Sequence, residues 1–537
     1  MKKILLIFVL FVSYLSFSQE DAWVYFKDKP NSQYYFSNPL QMLSQRALNR
    51  RITQNLPLDL LDIPIHQAYI DQITGTPGIT VKAKSKWLNC LHIRGTQVNI
   101  QALSLLSFVD HVSFANRSLN VGGKLSNLST FNPVNKILEA QISFNYGNSA
   151  NQIQMLNGHL LHQQNYTGTG KIIAVLDAGF PSVDVAQPFQ RLRDNSQILG
   201  GYNFVDRSSN FYSMSNHGTM VLSTMGGFVH NQLVGTAPDA SYYLFVTEDS
   251  SLENPLEESL WVEAAEMADN LGTDIINTSL GYFGYDNPNY SHTYEDMNGI
   301  TTFISRGANI AFSRGMVVVV SAGNSGNSAN VHIGSPADAV AVLTVGAVDS
   351  ARTYASFSSI GPSYDGRVKP DVMAQGLNAV VSNPNGTIVI NSGTSFSGPI
   401  IAGMVASFWQ AFPTFTNAQI TQFIKTSADH FTTPNAQYGY GIPNFQLALT
   451  NALSSLQFHS DLINVYPNPV KDLVTFSIPT IGSTKEITIY NNLGQMVINQ
   501  SSINQIQNIS LQALESGIYF YKIAVANGTK VGKLIKQ

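Results

Sequence analysis

The middle of this chain predicts an α/β fold in which a mostly parallel sheet is covered by helices on both faces. Two observations predict it: short, continuous apolar runs typical of buried strands, and amphipathic stretches between them typical of helices. The apolar runs are 171–179, 241–247, 274–280, 316–321 and 341–347, and the helical stretches are 257–271 and 301–314. Alternating strands and helices place a site outside the carboxyl ends of the strands.

The chain begins with a segment typical of a secretory signal peptide. Residues 1–18 combine a charged start, an apolar run, and small residues at Ser16 and Ser18. We expect this segment to be removed near Ser18. No later segment has about 18 consecutive apolar residues, so we expect no transmembrane segment in the mature protein.

Residues 20–115 predict a separate small α/β unit. Its strands are predicted at 22–26, 79–83, 87–93 and 109–114, and its helices at 40–54 and 97–106. Arg46, Arg50 and Arg51 are predicted to lie on the exposed side of the first helix. The stretch 116–150, rich in Asn, Ser and Gly, predicts an exposed linker where processing would occur.

Three polar residues of the middle region have the types needed for nucleophilic catalysis. Asp177 follows an apolar strand, His217 begins a helical segment, and Ser395 lies in the first turn of an apolar helix. Free N–H groups at a helix start can stabilise an oxyanion. A serine hydroxyl needs a base to remove its proton, and that base needs a carboxylate to orient it. The pattern predicts Ser395 as nucleophile, His217 as base and Asp177 as orienting carboxylate.

Four segments in this order resemble the signature motifs of the subtilases. They are D-A-G-F at 177–180, N-H-G-T-M-V at 216–221, S-A-G-N at 321–324 and G-T-S-F-S-G-P at 393–399. The resemblance covers about 148–453 and implies a subtilisin-like three-layer fold over 151–453, with serine endopeptidase activity on proteins. It also implies that the Asn324 side chain binds the oxyanion together with the Ser395 N–H. The family usually has Thr or Ser where this chain has Ala178, so Asp177 lacks that hydroxyl.

The resemblance also implies where a substrate would bind. Ser279, Leu280 and Gly281 resemble the exposed family strand that pairs with an extended peptide, a mode that recognises any peptide backbone. Ala322, Gly323 and Gly334 match segments that line the family's first specificity pocket. Neither pocket segment contains a charge, which predicts a preference for uncharged, apolar side chains before the cut bond.

The N-terminal unit resembles the small propeptide that precedes subtilases. That resemblance implies an inhibitor-like partner within the same chain, which assists folding and blocks the cleft until it is removed. No cleavage site is legible in the sequence, so an accessory binding domain that stays attached remains the alternative.

Residues 462–537 predict a small β-sandwich, because alternating strands are separated by Pro, Asn-Asn and Gly turns. The segments Y-P-N-P, Y-N-N-L-G and S-G-I-Y resemble the sorting domain of the type IX secretion system of certain Gram-negative bacteria. This implies the type IX machinery as a partner, and a secreted or cell-surface location reached through the periplasm. A carbohydrate- or surface-binding module is the alternative.

Composition excludes some partners and leaves a metal open. The net charge is −4 with 12% charged residues and no basic block, so nothing indicates nucleic acid. Cys90 is the one cysteine, so no intramolecular disulfide can form. No cofactor is required for the predicted chemistry. The loop 285–299 carries oxygen donors that could hold a structural calcium ion, and a solvated surface loop explains it as well.

The predicted function is therefore a secreted serine endopeptidase that cuts proteins through an acyl-enzyme. A catalytically weak, cell-surface peptide-binding or adhesion protein is the alternative from another class.

Overall fold

The computed structural model describes residues 19–120, 144–461, 463–478, 485–502, 504, 506–525 and 528–537. The described residues form an N-terminal unit, a central body and a C-terminal unit. The predicted signal peptide and residues 121–143 of the predicted linker lie outside them. No helix among the described residues is both long and apolar enough to cross a membrane.

The N-terminal unit is a four-stranded antiparallel sheet with short helices, in the strand order β2-β3-β1-β4. Its elements are β1 (Gln19–Phe26), α1 (Ser32–Ser37), α2 (Gln45–Thr53), α3 (Gln67–Thr74), β2 (Ile79–Ser85), β3 (Cys90–Thr96), α4 (Gln97–Ala102) and β4 (Val109–Phe114). Side chains of β1 alternate between two cores. Val24 packs inside the unit, whereas Trp23 and Tyr25 pack against the central body.

The prediction that the arginines of α2 face solvent is wrong for two of the three. Arg46 is exposed, but Arg50 and Arg51 are only 6% and 2% exposed. Arg50 pairs with Asp269, and Arg51 lies 2.8 Å from Asp62 and 2.9 Å from Asp269. The polar face of the helix packs against the central body, and the buried carboxylates of Asp269 in that body and Asp62 in the N-terminal unit compensate for the buried charge.

The central body contains a seven-stranded parallel sheet in the order β13-β12-β11-β10-β5-β9-β6. The strands of the body are β5 (Ile172–Asp177), β6 (Ile198–Asn203), β7 (Phe228–Val229), β8 (Leu233–Val234), β9 (Ser241–Val246), β10 (Ile275–Thr278), β11 (Val317–Ser321), β12 (Leu343–Val348), β13 (Val372–Gln375), β14 (Ala379–Ser382) and β15 (Ile388–Asn391). Its helices are α5 (Ala150–Gln154), α6 (Gly158–His162), α7 (Gln190–Asp194), α8 (His217–Gly226), α9 (Leu256–Leu271), α10 (Phe303–Ser313), α11 (Thr394–Ala411), α12 (Asn417–Thr426) and α13 (Phe445–Asp461).

Helices cover both faces of this sheet, as the alternation of β5 shows. Ile173 and Val175 belong to the core formed with α8 and α11, whereas Ala174 and Leu176 belong to the core formed with α9 and α10. The strand is buried on both sides because its residues are apolar up to its last residue, Asp177. The predicted three-layer α/β fold is confirmed.

The C-terminal unit consists of two antiparallel sheets, ordered β16-β17-β20 and β19-β18-β21-β22. Its strands are β16 (Asn464–Tyr466), β17 (Leu473–Ser477), β18 (Lys485–Tyr490), β19 (Met496–Ser502), β20 (Ile506–Ser510), β21 (Gly517–Val525) and β22 (Gly528–Lys536). Phe476 of one sheet and Ile487 and Tyr521 of the other share one core. This arrangement agrees with the predicted β-sandwich.

Candidate active site

Asp177 and His217 meet where β5 ends and α8 begins. Asp177 is the last residue of β5 and fully buried, and His217 is the first residue of α8. His217 Nδ1 lies 2.7 Å from Asp177 Oδ1. The pKa of His217 is raised, chiefly because the Asp177 carboxylate favours the imidazolium, and this outweighs the opposing effect of burial. The contact fixes the imidazole and directs Nε2 away from the carboxylate.

The two oxygens of Asp177 are used unequally. Oδ1 accepts a hydrogen bond from the Ala178 N–H at 2.8 Å in addition to its contact with His217. Oδ2 is buried and has no hydrogen-bond partner among the described residues. The family motif usually has Thr or Ser at position 178, and its hydroxyl could donate a hydrogen bond here. Ala178 has no such donor.

A buried carboxyl group, Glu248, lies close to the same strand end. Its neighbour Thr247 donates its N–H to the Asp177 carbonyl at 3.0 Å, and the Tyr282 hydroxyl donates to Glu248 Oε1. Burial raises the pKa of Glu248 to about 8.

Ser395 is the second residue of α11 and is 9% exposed. Its carbonyl accepts a hydrogen bond from Ser279 Oγ at 3.0 Å. Pro399 lies four residues further along the helix and has no N–H to donate to that carbonyl, so the Ser279 hydroxyl takes the place of the missing donor. Within the described structure no hydrogen bond joins Ser395 Oγ to His217. Such contacts are often long in a ligand-free enzyme.

Asn324 and the Ser395 N–H face a common space above Gly393. Asn324 Oδ1 accepts hydrogen bonds from Thr394 N–H and Oγ1, at 2.9 and 3.0 Å, which leaves its Nδ2 group as a donor. A Cβ atom placed on Gly393 would lie 3.6 Å from Asn324 Nδ2 and 3.7 Å from Ser395 N. Gly393 has φ +156°, which further favours glycine, and the absent side chain keeps this space open for a small anionic group.

A cavity of about 210 Å³ opens beside Ser395 and Asn324. All six residues predicted to bind substrate are part of its lining: Ser279, Leu280, Gly281, Ala322, Gly323 and Gly334. Leu280 and Gly281 lie beyond the end of β10 and outside any strand. Sequence reasoning missed further lining residues, among them Phe283, Asn330, His332 and Ser359. They lie in loops whose course the motifs do not specify, although His332 lies only two residues before Gly334, which was predicted to line the pocket.

The loop 285–299, which could hold calcium or be a solvated surface loop, uses two of its carboxylates in protein contacts. Asp296 Oδ2 accepts hydrogen bonds from Thr293, and Asp286 Oδ2 accepts one from the Glu253 N–H. In the part of the chain that the structure describes, no group of three or more His, Cys, Asp or Glu could hold a metal ion. Structural calcium stays a prediction, which thermal unfolding with and without a chelator would check.

Comparison with known families and proteins agrees with this geometry. A family model described as the subtilase family matches residues 168–441, half of the chain. A model described as the peptidase S8 propeptide domain of Bacteroidota matches 21–132, and one described as a secretion system C-terminal sorting domain matches 464–537.

Three of the similar curated proteins are two subtilisins and an alkaline protease. Subtilisin NAT of Bacillus subtilis subsp. natto is 32% identical over 299 residues, which cover 55% of this chain and 70% of that protein. Subtilisin of Bacillus pumilus is 32% identical over 299 residues, which cover 97% of that protein. Alkaline protease of Alkalihalobacillus alcalophilus is 30% identical over 288 residues, which cover 53% of this chain and 66% of that protein.

The chain therefore belongs to the subtilase family. It is a subtilisin-like serine endopeptidase that carries a propeptide and a type IX secretion sorting domain. The sorting domain indicates a secreted or cell-surface protein. The family resemblance predicted from the four motifs is confirmed.

Proposed function

We propose that the protein hydrolyses peptide bonds of protein substrates through an acyl-enzyme formed on Ser395. The observation that carries this proposal is the 2.7 Å contact of His217 Nδ1 with Asp177 Oδ1. It leaves Nε2 as the nitrogen that can accept a proton at the start of α11. The raised pKa of His217 suits a group that must accept and then return a proton.

The reaction begins when His217 Nε2 takes the proton of Ser395 as the serine oxygen attacks the scissile carbonyl. The carbonyl oxygen becomes an oxyanion, which accepts hydrogen bonds from Asn324 Nδ2 and the Ser395 N–H. His217 then donates its proton to the leaving amine, and the C–N bond breaks. Water repeats these steps on the acyl-enzyme, which releases the acid product and the Ser395 hydroxyl.

The substrate backbone lies along residues 279–281 in this proposal, and the side chain before the cut bond, P1, enters the cavity beside Ser395. Free backbone groups of an extended segment bind peptides without regard to their side chains. The cavity is smaller than the roughly 300–1,000 Å³ usual for whole small-molecule ligands, which suits a single side chain. Gly281 is exposed, so an incoming strand can reach its backbone.

A serine-directed fluorophosphonate probe tests the nucleophile. We expect the processed wild-type protein to be labelled and Ser395→Ala to remain unlabelled. Ser407→Ala is a matched control, because Ser407 lies in the same helix and hydrogen-bonds Thr236 O away from the site. Labelling of Ser395→Ala, or a wild-type protein that is neither labelled nor active on casein, would favour the catalytically weak peptide-binding or adhesion protein instead.

A further inference from the structure

The segment 279–281, proposed to bind the substrate backbone, is not part of the parallel sheet. Strand β10 ends at Thr278, and neither Leu280 nor Gly281 makes a backbone hydrogen bond among the described residues. Adjacent paired strands lie about 4.8 Å apart, and hydrogen bonds weaken steeply when they are misaligned. The segment can therefore pair with a peptide only if contacts at its two ends hold it at the right place.

Backbone contacts fix both ends of this segment. Ser279 Oγ donates to the Ser395 carbonyl at 3.0 Å. The Tyr282 N–H donates to the Ser335 carbonyl at 2.7 Å, and the Tyr282 carbonyl accepts from the Ser335 N–H at 3.2 Å and from Ser335 Oγ at 3.0 Å. Ser335 follows Gly334, which lines the cavity. One end of the segment is thus attached to α11 and the other to the wall of the cavity.

The side chain of Tyr282 provides a further attachment, to Glu248. Both side chains are buried, and the Tyr282 hydroxyl donates to Glu248 Oε1. Glu248 follows Thr247, whose N–H extends the pairing of β5 and β9 by donating to the Asp177 carbonyl at 3.0 Å. Thr247 Oγ1 also donates to Glu248 Oε1, at a longer 3.4 Å. The tyrosine–glutamate pair therefore joins the segment 279–281 to the strand end that carries Asp177.

We propose that Glu248 is a positioning residue that, through Tyr282, holds the segment 279–281 where it can pair with an extended peptide. The inference rests on the proposed function, because it assigns that segment to the substrate backbone. Glu248 is not among the described residues that line the cavity, so it acts on the binding of residues before P1 and not on attack by Ser395. Loss of the Tyr282 hydroxyl leaves a buried carboxyl oxygen with only its weaker donor.

Two p-nitrophenyl esters test the proposal on the processed enzyme: an acetyl-leucine ester and an acetyl-trialanyl-leucine ester. They share P1 and the leaving group, so the ratio of their kcat/KM values, long to short, measures what the residues along 279–281 contribute. Tyr282→Phe should lower this ratio at least about fivefold and leave the value for the short ester within about twofold of wild type. Tyr242→Phe is the matched control and should not change the ratio, because this buried hydroxyl in the first half of β9 donates to the Ala237 carbonyl at 2.7 Å.

Glu248→Gln and Glu248→Leu separate the hydrogen bond from the charge. Glutamine keeps an oxygen that can accept from Tyr282 and should retain most of the wild-type ratio, whereas leucine should lower the ratio as Tyr282→Phe does. Asp177 chiefly, and Glu248 to a smaller extent, raise the pKa of His217, but this effect acts on both esters and cancels in the ratio. These two variants decide the matter if Tyr282→Phe does not fold.

An equal loss for both esters in Tyr282→Phe, or the same ratio in Glu248→Gln and Glu248→Leu, would overturn the proposal. Binding of the fluorescent product acetyl-trialanyl-leucine, measured by polarisation, needs no turnover. A wild-type enzyme without probe labelling or esterase activity that still binds this product more tightly than Tyr282→Phe would refute the catalytic proposal alone. A labelled and active enzyme that cleaves the long ester no better than the short one would refute the role of Glu248.

Discussion

At the scale of single residues, the two oxygens of the Asp177 carboxylate differ in their hydrogen bonds. Oδ1 contacts His217 and the Ala178 N–H, whereas Oδ2 is buried without a described partner. A donor on Oδ2 would disperse the negative charge that raises the pKa of His217. The identity of residue 178 therefore influences at which pH the base is active.

Ala178→Ser should move the acid limb of the kcat/KM profile to lower pH. The base must be neutral to accept a proton, so activity is lost as pH falls through the pKa of His217. A serine hydroxyl on Oδ2 weakens the stabilisation of the imidazolium and lowers that pKa. The measurement is a pH–rate profile with a peptide substrate. Ala178→Gly is the control without a hydroxyl, and an equal shift in both variants would contradict this explanation.

Asn324→Ala should reduce turnover by about 10²–10³, the scale known for the corresponding amide of subtilisin and carried over from that relative. The amide binds charge that exists only after attack, so kcat should fall while KM changes little. Single-turnover and steady-state kinetics give both values. Asn327→Ala, in the exposed part of the same loop, is the control. Turnover equal to that of the wild type would exclude Asn324 from the oxyanion site.

At the scale of elements, α2 forms hydrogen bonds just beyond the C-terminal ends of two helices, α9 and α10. Arg50 donates to the carbonyls of Thr273 and Arg314, beyond the ends of α9 and α10, and Gln54 donates to that of Gly315 at 2.8 Å. These carbonyls follow the C-terminal ends of the two helices, where the helix dipole is negative, so arginine is a suitable donor. The N-terminal unit therefore supplies hydrogen-bond donors just beyond the ends of both helices.

Arg51→Ala should destabilise the unprocessed chain by about 3–5 kcal/mol, because it leaves Asp62 and Asp269 buried with less compensation. The measurement is urea unfolding in a Ser395→Ala background, which prevents self-cleavage. Arg46→Ala on the same helix is the comparison, since its side chain is 42% exposed and its ion pair with Asp274 is partly solvated. A smaller loss, under about 1 kcal/mol, is expected there. Equal losses would contradict the role of burial.

These elements also show what the sequence could and could not predict. The four valines at 317–320 form a continuous apolar run, which is typical of a strand buried on both sides. Strand β11 lies where it was predicted. The burial of the arginines of α2 could not be predicted in this way. Arginines that face solvent and arginines that pack against buried carboxylates recur with the same helical period. His332 was missed because it belongs to a loop, and loop paths depend on distant contacts such as its pairing with Ile360.

At the scale of the whole molecule, the C-terminal sandwich is a body with its own core. Its buried residues, such as Val474, Phe476 and Ile523, form a cluster that contains none of the central body's core residues. The motifs that carry the proposed chemistry all lie before it. A unit of this kind can be removed without exposing the core of its neighbour.

Deletion of 462–537 should leave peptidase activity in cell extracts nearly unchanged and leave the protein in the periplasm of its host. The reason is that a signal peptide directs export across the inner membrane, whereas onward transport is assigned to the sorting domain. Cell fractionation with an activity assay measures both effects. Full-length Ser395→Ala, which is inactive and is therefore located by immunoblot of the same fractions, is the control and should still reach the outside. Undiminished activity in the medium after deletion would contradict the sorting role, and loss of activity everywhere would make the sandwich part of the catalytic fold.

The position of α2 has a consequence for how the enzyme becomes active. Its contacts with Asp269, Thr273 and Gly315 precede β10 and β11 in the chain, so they lie near the N-terminal ends of these strands. The proposed catalytic residues lie at the opposite, C-terminal ends of the parallel strands. Cutting the chain between 121 and 143 removes the covalent connection but none of these contacts. Departure of the N-terminal unit is then a dissociation equilibrium between two polypeptides, with its own lifetime and its own dependence on dilution. Cleavage of the chain and departure of the N-terminal unit are therefore two events that can be timed separately.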